Sequence, residues 1–573
     1  MRVSIGQCSD KGRKPTQQDF HGARVPAEPL AALKGICVAL ADGISSSEVS
    51  GEASEAAVVG FLEDYYCTSE AWSVQTSVER VASAANSWLH AQTLNSPFRY
   101  DRERGYVCTF SALVLKASLA HVFHVGDTRV YRVCADGLEQ LTHDHKVRRS
   151  GEEKLLSRAL GASAQLELDY RAVEIEKGST FVLASDGVYE HVSEARVAQL
   201  IAEHVGDLDR AAQHIVRAAY DNGSADNLTL QVVRVESLAS QAAAGLLQSE
   251  LSELPLPPLL QPRDRFEGYT VVREIHASHR SHVYLAVDDE TQARVVIKAP
   301  AIDLRADEAL LERFLMEEWI ARRIDSAHVL KPCKQSRKRN FVYLVSEYIE
   351  GQTLAQWMID HPAPDIEVVR RIVEQVALGL YAFHKLEMVH QDLRPENILI
   401  DASGTAKIID FGAVHVAGIA ELSPLAEAQL LGTAQYTAPE YFLGEAGTAS
   451  SDLYSLAVIT YQLLSGRLPY GGEVSKSRTK QAQLRLRYDS VLSHDREIPA
   501  WVDYALRRAL HPDPWKRYHQ LSEFIYDLRH PSRVFLRQAR PPWIERDPAK
   551  FWKAVSAILA LIIVVLLKKL LTH

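Results

Sequence analysis

Several apolar runs in this 573-residue sequence end on an aspartate. Leu40-Ala41 leads into Asp42-Gly43, and Leu183-Ala184-Ser185 leads into Asp186-Gly187. Asp226-Asn227 opens the run Leu228-Thr229-Leu230. Asp19 follows Thr16-Gln17-Gln18, and Val125-Gly126-Asp127-Thr128 adds another. A single Asp-Gly marks a turn. Carboxylates converging from several strand ends repel one another and need cations to offset that repulsion. Oxygen-only ligands suit Mg²⁺ or Mn²⁺ rather than zinc.

A second set lies further along. Val295-Val296-Ile297-Lys298 is an apolar strand ending in lysine. His390-Gln391-Asp392-Leu393-Arg394-Pro395-Glu396-Asn397 comes later, then Asp410-Phe411-Gly412, then Ala438-Pro439-Glu440. Phosphoryl transfer from ATP needs a cation on the phosphates, ligands for Mg²⁺ and a base for the acceptor hydroxyl. The sequence offers a residue for each.

Both sets need elements to hold them. Over 1–236, short apolar runs such as Cys37–Ala41, Thr109–Leu115, His121–Val125, Thr180–Ala184 and Leu228–Val235 read as strands. Glu52–Tyr66 and Val78–Leu94 have apolar residues at helical spacing. Residues 237–265 hold Pro255, Pro257, Pro258 and Pro262 and read as an extended linker. Residues 266–530 begin strand-rich and turn helix-rich after 365, which predicts a small sheet lobe before a helical lobe. Residues 531–550 are basic. At 551–571, Ala554–Leu567 is apolar except for Ser556. With Lys553, Lys568 and Lys569 reaching the interfaces, that stretch predicts a transmembrane anchor. The preceding arginines and lysines would keep the rest of the chain cytoplasmic. No apolar leader is visible at the N-terminus, and no sensor domain is expected beyond the tail.

Over residues 1–236 the ordered stretches Gly12-Arg13-Lys14…Gln18-Asp19, Asp42-Gly43, Gly126-Asp127, Asp144-His145-Lys146, Arg158-Ala159-Leu160-Gly161, Asp186-Gly187 and Asp226-Asn227 resemble the metal-dependent type 2C Ser/Thr protein phosphatases. The resemblance implies two antiparallel sheets flanked by helices, α-β-β-α, with metals at one edge. Asp42, the Gly43 carbonyl, Asp186 and Asp226 would be ligands. Asp19 would orient water held by the metals, and Asp127 would serve a looser third ion. Arg13 or Lys14 would hold the substrate phosphate. Gln18 stands where many members carry Glu, and a neutral amide binds metal more weakly. His145 and His191 are possible proton carriers.

Over residues 266–530 the second set resembles the eukaryotic-like (Hanks-type) Ser/Thr protein kinases, with a bilobal fold. Lys298 would hold the α- and β-phosphates and pair with Glu317, with Glu318 as the rival. Asp392 would orient or accept the substrate proton, and Arg394 would touch the γ-phosphate. Asn397 and Asp410 would bind Mg²⁺. Glu347 and Ile349 would meet adenine. Asp452 and the Glu440–Arg517 pair look like structural supports. The usual glycine-rich loop is replaced by Ile275–Val283, with His276, Ser278 and Ser281 in the glycine slots. Their loss weakens or reshapes nucleotide binding. Gln391 replaces the arginine that pairs with an activation-loop phosphate, so phosphorylation at Ser423, Thr433 or Thr437 is not expected to be an obligatory switch.

Formal net charge is −9, and no basic block dominates, so a nucleic-acid partner is not expected. Six cysteines without a Cys-x-x-Cys pair argue against a disulfide scaffold. The sequence therefore predicts a bifunctional protein Ser/Thr phosphatase and kinase of bacterial type. Its partners would be ATP, Ser/Thr and phospho-Ser/Thr proteins, the membrane, and its own phosphorylated kinase domain. The alternative is a tethered phosphatase regulated by a nucleotide-binding pseudokinase.

Overall fold

The computed structural model describes residues 1–135, 137–148, 154–238, 254–278, 281–301, 308–334, 337–422, 434–493, 497–538, 552–560 and 562–563. The first domain is built on two antiparallel sheets. One runs Arg2–Asp10, Leu228–Ser237, Thr180–Ala184, Arg129–Cys134, Gly137–Gln140 in spatial order. The other runs Asp169–Glu174, Leu119–Val125, Phe110–Lys116, Ile36–Ala41, Phe20–Arg24.

The strand Ile36–Ala41 explains the layering. All of it is buried, and its side chains alternate between two cores. Ile36, Val38 and Leu40 meet Phe181, Leu183 and Val233 between the sheets. Cys37, Ala39 and Ala41 face Phe61, Val78 and Val81 of the helices Ser50–Asp64 and Val74–Asn95. Glu194–Glu203 and Leu208–Asp221 cover the opposite sheet. A strand buried on both faces reads as an unbroken apolar run, and its end is where a polar group first becomes possible. The α-β-β-α expectation holds.

The second domain opens with a sheet ordered Arg265–Phe266, Tyr269–Ala277, Ser281–Asp288, Arg294–Pro300, Leu344–Glu347. The helix Glu308–Arg323 belongs to this small lobe. The larger lobe packs Ile366–His384, Ala449–Ser465, Ala500–Ala509 and Leu521–Arg529 around one apolar core. Arg517 crosses that lobe fully buried and holds Glu440 at 2.7 and 2.8 Å. Arg517→Ala leaves the Glu440 carboxylate buried without its partner. The expected cost is about 3–5 kcal/mol, read as a lowered melting temperature of the kinase-like domain.

The proline-rich stretch does not hang free where it is described. Leu256 packs on Phe314, Leu315 and Val342, and Val342 N–H donates to the Pro255 carbonyl at 3.1 Å. Residues 239–253 lie outside the described residues.

The expected transmembrane anchor, and with it the membrane localisation, is corrected here. Among the described residues no helix is long and apolar enough to cross a membrane. The described part of the tail is confined to 552–560 and 562–563. A span needs about 20 apolar residues. The uncharged run from Ala554 to Leu567 is shorter than that and is closed by Lys568-Lys569. Residues 539–551, 561 and 564–573 lie outside the described residues.

Two candidate active sites

In the first domain, the strand ends bring the aspartates together. Asp42 follows Ile36–Ala41, and its backbone exchanges hydrogen bonds with Thr109 at 2.8 Å. Asp186 opens the short helix after Thr180–Ala184. Asp226 sits before the strand Leu228–Ser237, its Oδ1 accepting from Asn227 N–H at 2.7 Å. Close backbone approach makes two glycines necessary. A Cβ on Gly187 would lie 2.1 Å from the Asn227 carbonyl, and one on Gly43 2.8 Å from Ser50 Oγ.

Burial, then repulsion from Asp19, Asp186 and Asp127, pushes the Asp42 carboxyl well above its ordinary range. Asp186, buried beside Asp127 and Asp226, is pushed up to about 7. Asp19 accepts from Ser185 Oγ at 2.8 Å, while its buried Oδ1 has no protein partner. Among the described residues no three of these side chains form a closed ligand cage. Repulsion from neighbouring carboxylates adds to burial in raising Asp19, Asp42 and Asp186.

The cations beside this cluster are Lys14 and Lys146. Lys14 ion-pairs with Asp226 and donates to Ser45 Oγ at 2.5 Å. Arg13 does not reach the cluster: it donates to the Ser224 and Tyr220 carbonyls and lies over the Tyr220 ring. Lys146 meets Asp127 at 2.7 Å and Glu190 at 3.6 Å, a pairing the sequence reading did not single out. Its signal was its place in Asp144-His145-Lys146. The Gln18 amide is spent on Ser47 O and Ser50 Oγ at 2.6 and 2.8 Å. His145 accepts from Gly126 N–H at 3.1 Å and meets Asp169 at 3.0 Å, so it fixes the turn before Asp127. His191 is linked through its carbonyl to Asn222 at 2.8 Å.

The raised Asp186 carboxyl has a definite stability sign. Folded, metal-free protein holds that proton up to pH about 7, so stability is lost as pH rises through that value. Asp186→Asn should therefore raise the melting temperature of chelated protein by several degrees at pH 8 and by distinctly less at pH 5, because the loss accumulates between the unfolded carboxyl's ordinary value and about 7. Equal shifts at both pH values would contradict this.

In the second domain, Lys298 projects from Arg294–Pro300. Its ammonium meets Glu317 at 2.6 and 2.9 Å and Asp410 Oδ1 at 3.2 Å. Lys298 holds Asp410 down to about 2, against burial. Glu318 points elsewhere, to Arg339 at 2.6 and 2.8 Å and to Arg322. Asn397, buried, donates to the Asp392 carbonyl at 2.8 Å and its carboxylate at 3.3 Å. Arg394 lies 3.8 Å from Asp392. Asp452 accepts from His390 and Gln391 N–H at 2.8 and 3.0 Å, holding Gln391 at φ +65°. Glu347 uses its side chain on Lys407 at 2.8 Å and its N–H on the Lys331 carbonyl at 3.1 Å. Ile349 is half-buried in the loop after it.

At the hairpin that replaces the glycine-rich loop, the serines close the turn themselves. Ser278 N–H donates to the Ser281 carbonyl at 3.0 Å, and Ser281 N–H to Ser278 Oγ at 3.1 Å. Ile275 and His276 are exposed on the strand before it, and Val283 is half-buried on the strand after it. His279 and Arg280 lie outside the described residues, as do Ser423 and Thr433; Thr437 is buried.

Comparison with known proteins follows this division. Residues 13–219 match the protein phosphatase 2C family, and residues 269–525 match the protein kinase domain family. The chain thus carries a phosphatase 2C-like domain followed by a Hanks-type Ser/Thr kinase-like domain. Serine/threonine-protein kinase PknA of Corynebacterium glutamicum is 33% identical over 271 residues, 46% of this chain and 55% of PknA. The structure of the Mycobacterium tuberculosis phosphatase PstP/Ppp is 23% identical, covering 41% of this chain and 99% of its own, with a TM-score of 0.34. The M. tuberculosis PknI kinase domain is 24% identical, covering 48% of this chain and 98% of its own, with a TM-score of 0.37. The chain spans about half the length of the curated kinases it matches, 40% and 55% in two cases.

Proposed function

We propose that this chain adds and removes phosphate on protein Ser/Thr, with the kinase activity in 266–530 and the phosphatase activity in 1–236. The observation that carries the reading is the pair of complementary charge sets in one chain. One is an excess of carboxylates at the strand ends, Asp19 and Asp127 buried and Asp42, Asp186 and Asp226 half-buried. The other is the closed Lys298–Glu317–Asp410 cluster beside Asp392 and Asn397.

The first set fits divalent cations. Burial and repulsion from neighbouring carboxylates raise Asp19, Asp42 and Asp186, and Asp19 Oδ1 is buried without a protein partner. Asp42, Asp186, Asp226 and the Gly43 carbonyl would hold Mg²⁺ or Mn²⁺, which supplies charge neutralisation and an activated water. Lys14 binds the substrate phosphate as a point charge, and Asp19 orients water through its free oxygen. In the second domain, Lys298 holds the ATP phosphates and Asp392 takes the acceptor proton, while Arg394 steadies the γ-phosphate. Asn397 and Asp410 would carry Mg²⁺. The kinase-like domain's own phosphorylated residues are a substrate for the phosphatase.

Ser423→Ala should keep at least half the kinase activity, because Gln391 offers no cation for a loop phosphate. Loss of all transfer in that variant would contradict the reading. A second reading, a regulatory pseudokinase, is favoured by the Ser278–Ser281 closure, which occupies backbone donors a glycine loop turns toward phosphates. Thermal stabilisation of the chain by ATP with Mg²⁺, without phosphate transfer, would select it. For the phosphatase, hydrolysis of a small aryl phosphate with Mn²⁺ tests the assignment; no turnover would overturn it.

A further inference from the structure

The two domains meet through a tightly fitted face whose polar contacts surround buried Ala71 and the Leu33–Leu422 pair. It joins the turn before the phosphatase-side helix Val74–Asn95 to the kinase-side segment that follows Asp410-Phe411-Gly412. That helix begins with free backbone N–H groups, and its N-terminus favours negative charge. Two carboxylates from the other domain satisfy it. Glu387 accepts from Ser73 N–H at 2.7 Å, Ser73 Oγ at 2.9 Å and Thr76 Oγ1 at 2.6 Å. Glu421 accepts from Val74 N–H at 3.0 and 3.2 Å.

Glu421 has a second partner, Lys116, at the end of the strand Phe110–Lys116. The Lys116 side chain is 1% exposed, meets Glu421 at 2.9 Å and donates to the Gly418 carbonyl at 2.6 Å. Burial lowers its pKa. A buried ammonium left without a counter-charge is strongly destabilising, so this strand end calls for a carboxylate from outside its own domain. Backbone also approaches backbone here. Gly418 N–H donates to the Ala71 carbonyl at 2.9 Å, and a Cβ on Gly418 would lie 2.5 Å from the Glu70 carbonyl oxygen. Ala71 itself is fully buried in the kinase-side core. The turn is stiffened from behind by Lys34, which donates to Thr68 Oγ1 at 2.7 Å and Ser77 Oγ at 2.9 Å.

The face touches the parts of a kinase that must be in place for transfer. Trp72 Nε1 donates to the Lys385 carbonyl, just before His390-Gln391-Asp392, at 3.0 Å. Glu70 ion-pairs with Arg323 at the end of the helix that carries Glu317. The strand His415–Val416, next to Gly418, pairs with Met388–Val389. With this face closed, Lys298, Glu317 and Asp410 are in contact.

From these contacts we infer that the phosphatase domain is docked on the start of the kinase activation segment and holds it, with the Glu317 helix, in the transfer-competent arrangement. The domain takes the positioning role that an activation-loop phosphate cannot have beside Gln391. The inference rests on reading 266–530 as a kinase, and its test separates the two.

The test uses the full chain with Asp42→Ala, so that label is not removed. Lys116→Met is compared with Glu70→Ala/Thr76→Ala, which breaks the face at partly exposed residues in case the buried change disturbs folding. Each is also made without Asp42→Ala, and aryl-phosphate hydrolysis within twofold of the parent then reports an intact phosphatase domain. Amide hydrogen exchange is followed at 71–76 and 415–422. The expected result is a fall in phosphate transfer of at least tenfold in both variants, with faster exchange in both segments. Unchanged or increased transfer with intact hydrolysis would overturn the inference. If the parent transfers no phosphate, the kinase reading fails and the positioning role with it. Exchange would then still report whether the domains dock: protection lost in the variants supports docking, and protection absent in the parent overturns it.

Discussion

Lys298→Met reduces transfer of the ATP γ-phosphate by at least about a hundredfold and leaves aryl-phosphate hydrolysis unchanged. Methionine keeps the length and apolar stem of the side chain and removes only its charge. Lys298 is the cation between Glu317 and Asp410, at 2.6 and 3.2 Å. Without it the two carboxylates face each other, Asp410 loses the partner that holds its carboxyl near 2, and no ammonium remains for the phosphates. The measurement is incorporation of labelled phosphate into the full chain and into a protein acceptor. Transfer within threefold of the parent would remove Lys298 from the reaction.

Asp42→Ala is the counterpart in the other domain. Removing residues that merely orient metal ligands costs about 10–100-fold, so loss of a direct ligand should exceed about a hundredfold in Mn²⁺-dependent hydrolysis. The same change should raise the steady-state label on the chain, because the phosphatase domain no longer erases it. Asp42 is the most crowded of the carboxylates, with Asp19, Asp186 and Asp127 all raising its pKa after burial. Metal-free Asp42→Ala protein should accordingly be no less stable than the parent at pH 8, which separates a lost ligand from a lost fold. Hydrolysis that survives the change would contradict the metal-centre reading.

The layered fold of the first domain was legible because its strands are buried on both sides. A run such as Ile36–Ala41 has no polar residue until Asp42, so strand and site could be read together. The glycines after Asp42 and Asp186 had a reason visible only in three dimensions, the close passage of Ser50 and Asn227. Neighbours in sequence were harder to separate. Arg13 and Lys14 carry the same charge, but Arg13 is taken by the carbonyls of Ser224 and Tyr220 while Lys14 reaches Asp226. Glu317 and Glu318 differ by one helical position, which sends one to Lys298 and the other to Arg339.

The contacts between domains left no trace in the sequence pattern. Lys116 looks like an ordinary charged strand end, and Gly418 like a loop glycine, yet each depends on a partner some 300 positions away. The tail misled for a simpler reason: an apolar run shorter than a bilayer's thickness was extended through lysines to reach it. The loss of glycines at Ser278 and Ser281 was plain in the sequence. Their reciprocal hydrogen bonds, one through a carbonyl and one through the Ser278 hydroxyl, were not.

The central claim is that one chain both writes and erases phosphate. It is tested most directly by labelling the full chain with ATP and Mg²⁺, removing the ATP, and then adding Mn²⁺. The account predicts that label appears and is afterwards released as free phosphate. In Asp42→Ala the label should appear and stay, and in Lys298→Met it should never appear. Absence of label in the Asp42→Ala chain would contradict the account and reduce the second domain to a regulatory partner of the first.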